Sequence, residues 1–202
     1  MKLLNKTKRA CFLLLVLIIF ITITGCAAVI NLTEDDDITK SQRQLSKIPI
    51  RVGIYLSKAF RNYSYELNLG LHMHVNIGPS MSNEIEKNIN GAFEKVLIVS
   101  ELSSKSQIEN VDVIISSEVI DTTIRPAGTG YAGIEGVIKC KWTIIKPNGE
   151  IVYTTTIIGK GTDDSLVGMI RVRKCFYRAM RNQVEQFMLE SMKSRWWEHM
   201  NK

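Results

Sequence analysis

The chain has 202 residues, and its 26 Lys or Arg against 20 Asp or Glu give a formal net charge of +6. Four of the basic residues and no acidic ones lie in positions 1–25, so the other 22 basic residues face 20 acidic ones and the net charge of the remainder is about +2. This near-neutral body gives no reason to expect nucleic-acid binding. Only four prolines and a hydrophobic content of 45% exclude a disordered chain, and the body is long enough for one domain.

Residues 1–25 have the layout of a secretory signal. An apolar run over 12–23 is shorter than a comfortable membrane span and ends in the small residues Thr24 and Gly25. An uncleaved N-terminal membrane anchor is the alternative interpretation. The positive leader ahead of the apolar run consists of Lys2, Lys6, Lys8 and Arg9.

The end of this segment, Ile23-Thr24-Gly25-Cys26, resembles the lipobox of bacterial lipoproteins, which usually reads Leu, Ala or Ser, Gly or Ala, and Cys. Ile23 and Thr24 depart from that pattern, whereas Gly25 and Cys26 match it. The resemblance implies cleavage between Gly25 and Cys26, a thioether-linked diacylglycerol on Cys26, and then N-acylation. It also implies the lipid bilayer as a partner, and Ala27 in place of Asp resembles the outer-membrane class that faces the periplasm.

Residues 26–47 are polar and show no sustained apolar period. They contain the acidic run Glu34-Asp35-Asp36-Asp37. We therefore expect a lipidated N-terminus followed by a flexible, acidic tether, because such a segment has too little apolar surface to fold. Cation binding by the acidic run is the alternative.

A single folded domain is predicted over residues 48–202. From Ile50 to Ser57, aliphatic residues at every second position alternate with Arg51, Gly53, Tyr55 and Ser57, which is typical of a half-buried strand. Two weaker strands are expected around Gly70, followed by a helix and a short buried strand. The segments are 63–69, 71–77, 81–95 and 96–100.

The second half of the domain predicts three longer strands and a closing helix. The strands are 111–124, 134–145 and 151–158, and the helix runs from about 165 to 191 or beyond. Asn148-Gly149 is typical of a hairpin turn between the last two strands, and residues 162–165 offer helix-capping oxygens. This order predicts an α+β fold: a mixed, mainly antiparallel sheet with a mid-chain helix and a long C-terminal helix packed on one face.

The last helix has an apolar side and a basic side. A line of six residues at helical spacing predicts the buried side: Leu166, Met169, Phe176, Met180, Val184 and Phe187. The basic residues cluster opposite and form a candidate face for lipid phosphates, lipopolysaccharide or an acidic partner, with a solvated face as the alternative. They are Arg171, Lys174, Arg178 and Arg181.

Two cysteines remain after Cys11 leaves with the signal and Cys26 is acylated. Cys140 alternates in phase with the presumed core residues of its strand, whereas Cys175 lies about 140° from the apolar centre of the last helix. This geometry favours two separate thiols over a disulfide. Further along, Trp196-Trp197 predicts a contact with a membrane interface or with a protein.

Two short motifs suggest chemistry. Residues 128–133 match G-x-G-x-x-G but precede a strand, whereas a dinucleotide site requires a helix at that point, so an inter-strand loop is favoured. His72 and His74 point the same way on a strand and can ligate copper or zinc, with Met73 on the other face. No second cluster supplies the remaining ligands, so surface histidines are the alternative.

We expect no cofactor and no enzymatic activity, because no acid, base and nucleophile set is visible. Over residues 48–191 the layout, without a diagnostic motif, is similar to small lipoproteins of outer-membrane assembly, such as the lipopolysaccharide-assembly lipoprotein, and to ring-forming export lipoproteins. That resemblance implies a non-catalytic accessory or structural subunit of an envelope complex, bound to an envelope protein. A lipoprotein that binds a lipid or other ligand between the sheet and the last helix is the alternative, and a metal protein or enzyme using His72 and His74 is the third.

Overall fold

The computed structural model describes residues 28–32, 47–68, 72–127, 133–165 and 168–199. The lipobox residues up to Cys26, the acidic run at 34–37 and positions 128–132 of the glycine-rich motif lie outside these ranges. In chain order the elements are β1 (Ala28–Asn31), β2 (Ile48–Tyr55), α1 (Lys58–Arg61), β3 (Ser64–Asn68), β4 (His72–Asn76), α2 (Ile77–Ala92), β5 (Phe93–Ile98), α3 (Lys105–Ile108), β6 (Val113–Pro126), β7 (Ile134–Ile145), β8 (Ile151–Asp163), α4 (Gly168–Ser194) and a 3₁₀ turn (Trp196–His199).

The main sheet has five strands in the order β5-β2-β6-β7-β8. The first three are parallel to one another, and β6, β7 and β8 form an antiparallel meander. Gly149 has φ +90° in the turn between β7 and β8, which is the backbone conformation expected of the Asn148-Gly149 pair. With the two long helices, α2 and α4, on one face, the α+β fold with a mixed sheet is confirmed.

A second sheet has three strands in the order β1-β4-β3, with β1 parallel and β3 antiparallel to β4. The tether predicted for residues 26–47 is therefore wrong for residues 28–32, where Ile30 and Leu32 are buried at 5% and 6% exposure. The folded body therefore includes residues 28–32 as well as the predicted domain. A four-residue strand is too short to show an alternating pattern, and its partner β4 lies more than 40 residues further along the chain.

The helices α2 and α4 pack beside each other on one face of the main sheet. Helix α2 begins four residues earlier than predicted, at Ile77, because the amides of the first helical turn need no intrahelical acceptor and Pro79 is tolerated there. Every second residue of β7 is buried against the helices, and the ring of Trp142 stacks on Phe187 with centroids 3.8 Å apart. The small sheet joins the same core through Tyr65, whose ring centroid lies 5.4 Å from that of Phe176.

Helix α4 lies on the sheet at glycine positions. A Cβ at Gly159 would overlap the carbonyl oxygen of Ala179, and one at Gly161 would overlap that of Cys175. The predicted orientation of this helix is therefore wrong at two positions: Cys175 is fully buried, and Met169 is 48% exposed. The line of six apolar residues predicts one buried side of α4. A second side is also buried, where Ala179 and Cys175 lie against Gly159 and Gly161 of β8.

The two described cysteines, Cys140 and Cys175, are both free and buried, which confirms the prediction of separate thiols. Burial is the main reason that the pKa of each thiol is raised to about 12. Both groups therefore stay protonated at neutral pH, and neither is a reactive nucleophile.

Candidate functional site

Strands β2 and β6 are neighbours in the main sheet, but the chain leaves them in opposite directions, from β2 toward β5 and from β6 toward β7. The connection from β2 to β5 contains α2, and the connection from β5 to β6 contains α3, which packs on the other face of the sheet. Ile108 of α3 packs with Val99, Val111 and Ile114 in a separate cluster, away from the main core that holds α2 and α4. Open sheets with parallel strands bind ligands outside the carboxyl ends of the strands at such a switch point.

A cleft of about 430 Å³ lies at this position. Strand β2 pairs with β6 only from Val52 to Tyr55, which lie beside Val113 to Ser116. After Tyr55 the chain turns away into α1, whereas β6 continues to Pro126 with β7 as its partner. The early end of β2 therefore leaves a notch beside β6, and the cleft occupies the notch.

The walls of the cleft differ in chemistry. Tyr55, Phe60 and Tyr63 provide aromatic rings on the side of β2 and α1. The opposite side is the segment 116–119 of β6, together with Lys141 and Thr143 of β7. The cleft therefore offers an apolar wall that faces a polar strand.

Two polar side chains of this strand wall are available to a partner. Ser117 also lines the cleft, but its hydroxyl oxygen is buried on the core side of the sheet, where Ser117 pairs with Trp142 in the register and its hydroxyl interacts with the Cys140 thiol. Glu118 and Lys141 lie opposite each other in the register of β6 and β7, and both are exposed. Neither forms an ion pair within the described part of the chain, so one carboxylate and one ammonium group remain free to bind.

The backbone of β6 adds a further binding element. Beyond Ser116, no described strand pairs with the edge of β6 on the side of β2. The open edge extends along β6 toward Ile124. From 117 to 123 this edge is about 20 Å long at roughly 3.3 Å per residue. A bulge between Val119 and Asp121 leaves Ile120 50% exposed beside it.

The predicted histidine pair lies elsewhere, on the outer face of the small sheet. His72 and His74 share one face of β4, and Nδ1 of His74 lies 3.9 Å from Oε1 of Glu66. Within the described ranges no three His, Cys, Asp or Glu residues are grouped as a metal site. The metal hypothesis therefore gains no support from these residues.

The arginines of the predicted basic face make contacts within the chain. Arg171 donates to the carbonyl oxygen of Ser165. Arg178 donates to Oδ2 of Asp163 at 3.0 Å, and Arg181 donates to Oε1 of Glu185 at 3.0 Å. Lys174, the fourth member of the predicted face, is half-buried. These contacts reduce the positive charge that α4 offers to an anionic partner.

The predicted intermolecular contact of the tryptophan pair is wrong for Trp196. This side chain is only 4% exposed, and its Nε1 donates to Oγ of Ser191 at 2.7 Å. Its ring also packs near Phe93, and Trp197 meets it edge to face at 5.6 Å. The pair thus closes the end of α4 over the domain's own core.

Sequence reasoning missed the cleft. The residues that line it come from β2, α1, the following loop, β6 and β7, and none of them forms a local motif. The only signal in the sequence is the length of chain that separates β2 from β5 and β5 from β6. These connections indicate a switch point only once the order of the strands in the sheet is known.

No family model matches the sequence, and no curated protein matches it. Among solved structures, a Xanthomonas campestris protein of family DUF330 is similar with a TM-score of 0.52 and 8% identity, over 83% of this chain and 98% of that one. A hypothetical protein from Chlamydia trachomatis has a TM-score of 0.49 and 9% identity over 70% and 95%. A minor lipoprotein from Acinetobacter baumannii has a TM-score of 0.44 and 8% identity over 74% and 96%.

The likeness to the Xanthomonas protein shows a shared fold. The other two likenesses are too distant to support an argument. Among the described helices, none combines the length and the apolar character that crossing a membrane requires.

Proposed function

We propose that this chain is a lipid-anchored protein of the bacterial cell envelope, held at the outer membrane by acylated Cys26 and facing the periplasm. Its domain acts as a non-catalytic accessory subunit that binds an envelope protein through the cleft between β2 and β6. The lipobox-like segment supports the anchor. The observation that carries the binding role is the notch beside β2, where the edge of β6 is open next to an aromatic wall.

An extended segment of a partner protein fits the chemistry of this notch. A peptide that adds to the edge of a sheet gains affinity from main-chain hydrogen bonds and specificity from pockets for alternate side chains. The edge of about 20 Å accommodates roughly six or seven extended residues. Glu118 and Lys141 offer polar partners to such a segment, and the rings of Tyr55, Phe60 and Tyr63 offer apolar contact.

A small amphiphilic ligand is the second candidate, favoured by the size of the cleft. Its volume of about 430 Å³ lies within the range of roughly 300–1,000 Å³ typical of small-molecule pockets. This site differs from the predicted one between the sheet and the last helix. That interface is filled by side chains, with Trp142 stacked on Phe187.

Site-specific photocrosslinking in intact cells tests the binding role. A photoreactive amino acid replaces Lys141 in the cleft of the full-length chain, and the matched control replaces Lys160. Lys160 is exposed on β8 and lies on the same outer sheet face, because it pairs with Val137 in the register of β7 and β8. We expect a discrete protein adduct from position 141 and none from position 160.

The outcomes separate the candidates. A protein adduct that weakens when Thr143, a half-buried residue that lines the cleft on the same sheet face as Lys141, is changed to the larger Tyr supports the accessory subunit. A lipid-sized adduct from position 141 overturns that role in favour of the ligand carrier. Equal labelling from positions 141 and 160 contradicts binding at the cleft altogether.

A further inference from the structure

The first strand begins very close to the proposed anchor. Ala28 is two positions after Cys26 and already pairs with Met73 in a parallel ladder that extends to Asn31 beside Asn76. The Nδ2 group of Asn76 donates to Oδ1 of Asn31 at 2.8 Å, and the hydroxyl of Ser80 donates to the carbonyl oxygen of Leu32 at 2.9 Å. Strand β1 is thus fixed to the folded body along its whole length.

This placement limits how far the domain can stand from the membrane. An extended chain spans at most about 3.6 Å per residue, so the Cα atoms of Cys26 and Ala28 are at most about 7 Å apart. The acyl chains on Cys26 enter the hydrocarbon layer, which keeps the backbone of this residue at the level of the lipid headgroups. The acidic run Glu34–Asp37 follows β1 in the chain and therefore does not separate the anchor from the body.

The direction of the strands determines which surface meets the bilayer. Because β4 is parallel to β1, its first residue, His72, lies at the same end of the small sheet as Ala28. Because β3 is antiparallel to β4, its last residue, Asn68, lies opposite His72. The other end of the sheet carries Asn31 and Ser64, and it is about 13 Å away along four residues.

We propose that the end of the small sheet formed by Ala28, Asn68 and His72 lies in the phospholipid headgroup layer. Asn68 and His72 are exposed and carry N–H groups that can donate hydrogen bonds to phosphate oxygens, and none of the three residues is acidic. The domain is therefore held against the bilayer through two residues, in one orientation, instead of moving at the end of a long tether. This inference rests on the proposed acylation of Cys26.

A pair of labelled variants on one strand tests the orientation. Asn68→Cys and Ser64→Cys place a fluorophore on the same exposed face of β3, four residues apart, while the native Cys140 and Cys175 are buried. The mature acylated protein, which begins at Cys26, is reconstituted into vesicles of phosphatidylethanolamine and phosphatidylglycerol that contain a lipid with a headgroup-attached quencher. We expect quenching several-fold stronger at position 68 than at position 64.

The failure of this inference is distinguishable from the failure of the anchor. Equal, weak quenching at both positions in protein that remains bound to the vesicles would show that the domain stands away from the bilayer, and it would overturn the orientation alone. If the labelled variants, which keep Cys26, do not bind the vesicles, the acylation of Cys26 is overturned and the orientation with it. In a Cys26→Ser background the quenching should disappear at both positions.

Discussion

At the scale of single residues, a buried carboxylate joins the end of β8 to helix α4. The Asp163 side chain is 3% exposed, accepts a hydrogen bond from the backbone amide of Ser165 at 2.9 Å, and pairs with Arg178 at 3.0 Å. Burial disfavours the charged form, but the hydrogen bond from Ser165 and the charges of Arg178 and Lys174 outweigh it. The pKa of Asp163 is therefore below its usual value.

We predict that Asp163→Asn lowers the free energy of unfolding at pH 7 by about 1–3 kcal/mol, because Arg178 loses a charged acceptor. A lowered carboxyl pKa contributes stability that is complete above the unfolded pKa of about 3.9 and is lost as the pH falls through the folded value. The difference between wild type and variant should therefore shrink from pH 7 to pH 3 in urea unfolding. An equal difference at both pH values would contradict the role of the ionised carboxylate.

At the scale of elements, the fit of α4 to the main sheet depends on backbone that carries no side chains. Gly159 and Gly161 lie directly under Ala179 and Cys175, whereas a Cβ at Gly91 near the end of α2 would meet nothing within 4 Å. These two environments separate the packing effect of an added methyl group from its effect on backbone freedom.

We predict that Gly161→Ala destabilises the domain by about 1–3 kcal/mol or more, because the methyl group must displace α4 from β8. The matched control Gly91→Ala should leave the stability unchanged or raise it by up to about 1 kcal/mol, since alanine is favoured over glycine within a helix. Thermal unfolding of both variants measures the difference. A Gly161→Ala protein as stable as wild type would mean that α4 does not lie this close to the sheet.

The elements that could be predicted from the sequence are those with a local pattern. Strand β7 was predicted with its observed bounds because apolar residues alternate along it, and Asn148-Gly149 identified the turn that follows. Strand β1 was missed because it depends on pairing with distant β4. The burial of Cys175 on helix α4 was missed because it depends on glycines of the sheet, such as Gly161 of β8, which let the helix lie close to the strand. The cleft was missed because it depends on where β2 ends beside β6.

At the scale of the whole molecule, the proposed anchor and the proposed binding site belong to different parts of the fold. Cys26 lies two residues ahead of the small sheet, whereas the cleft lies at the switch point of the main sheet. The small sheet and the main sheet share one hydrophobic core, which includes Val75 of β4 and Ile54 of β2. A domain held at the membrane by one sheet can thus present the cleft of the other to a partner in the envelope.

Metabolic labelling with a fatty-acid probe, followed by membrane fractionation, decides whether Cys26 anchors this chain. We predict that the wild-type protein incorporates the probe and sediments with the membranes, whereas Cys26→Ser does neither because it lacks the acceptor thiol. Cys140→Ser is the matched control, because this thiol is buried in the domain and should not affect either readout. Persistent labelling of Cys26→Ser, or a wild-type protein without label, would contradict the lipid anchor.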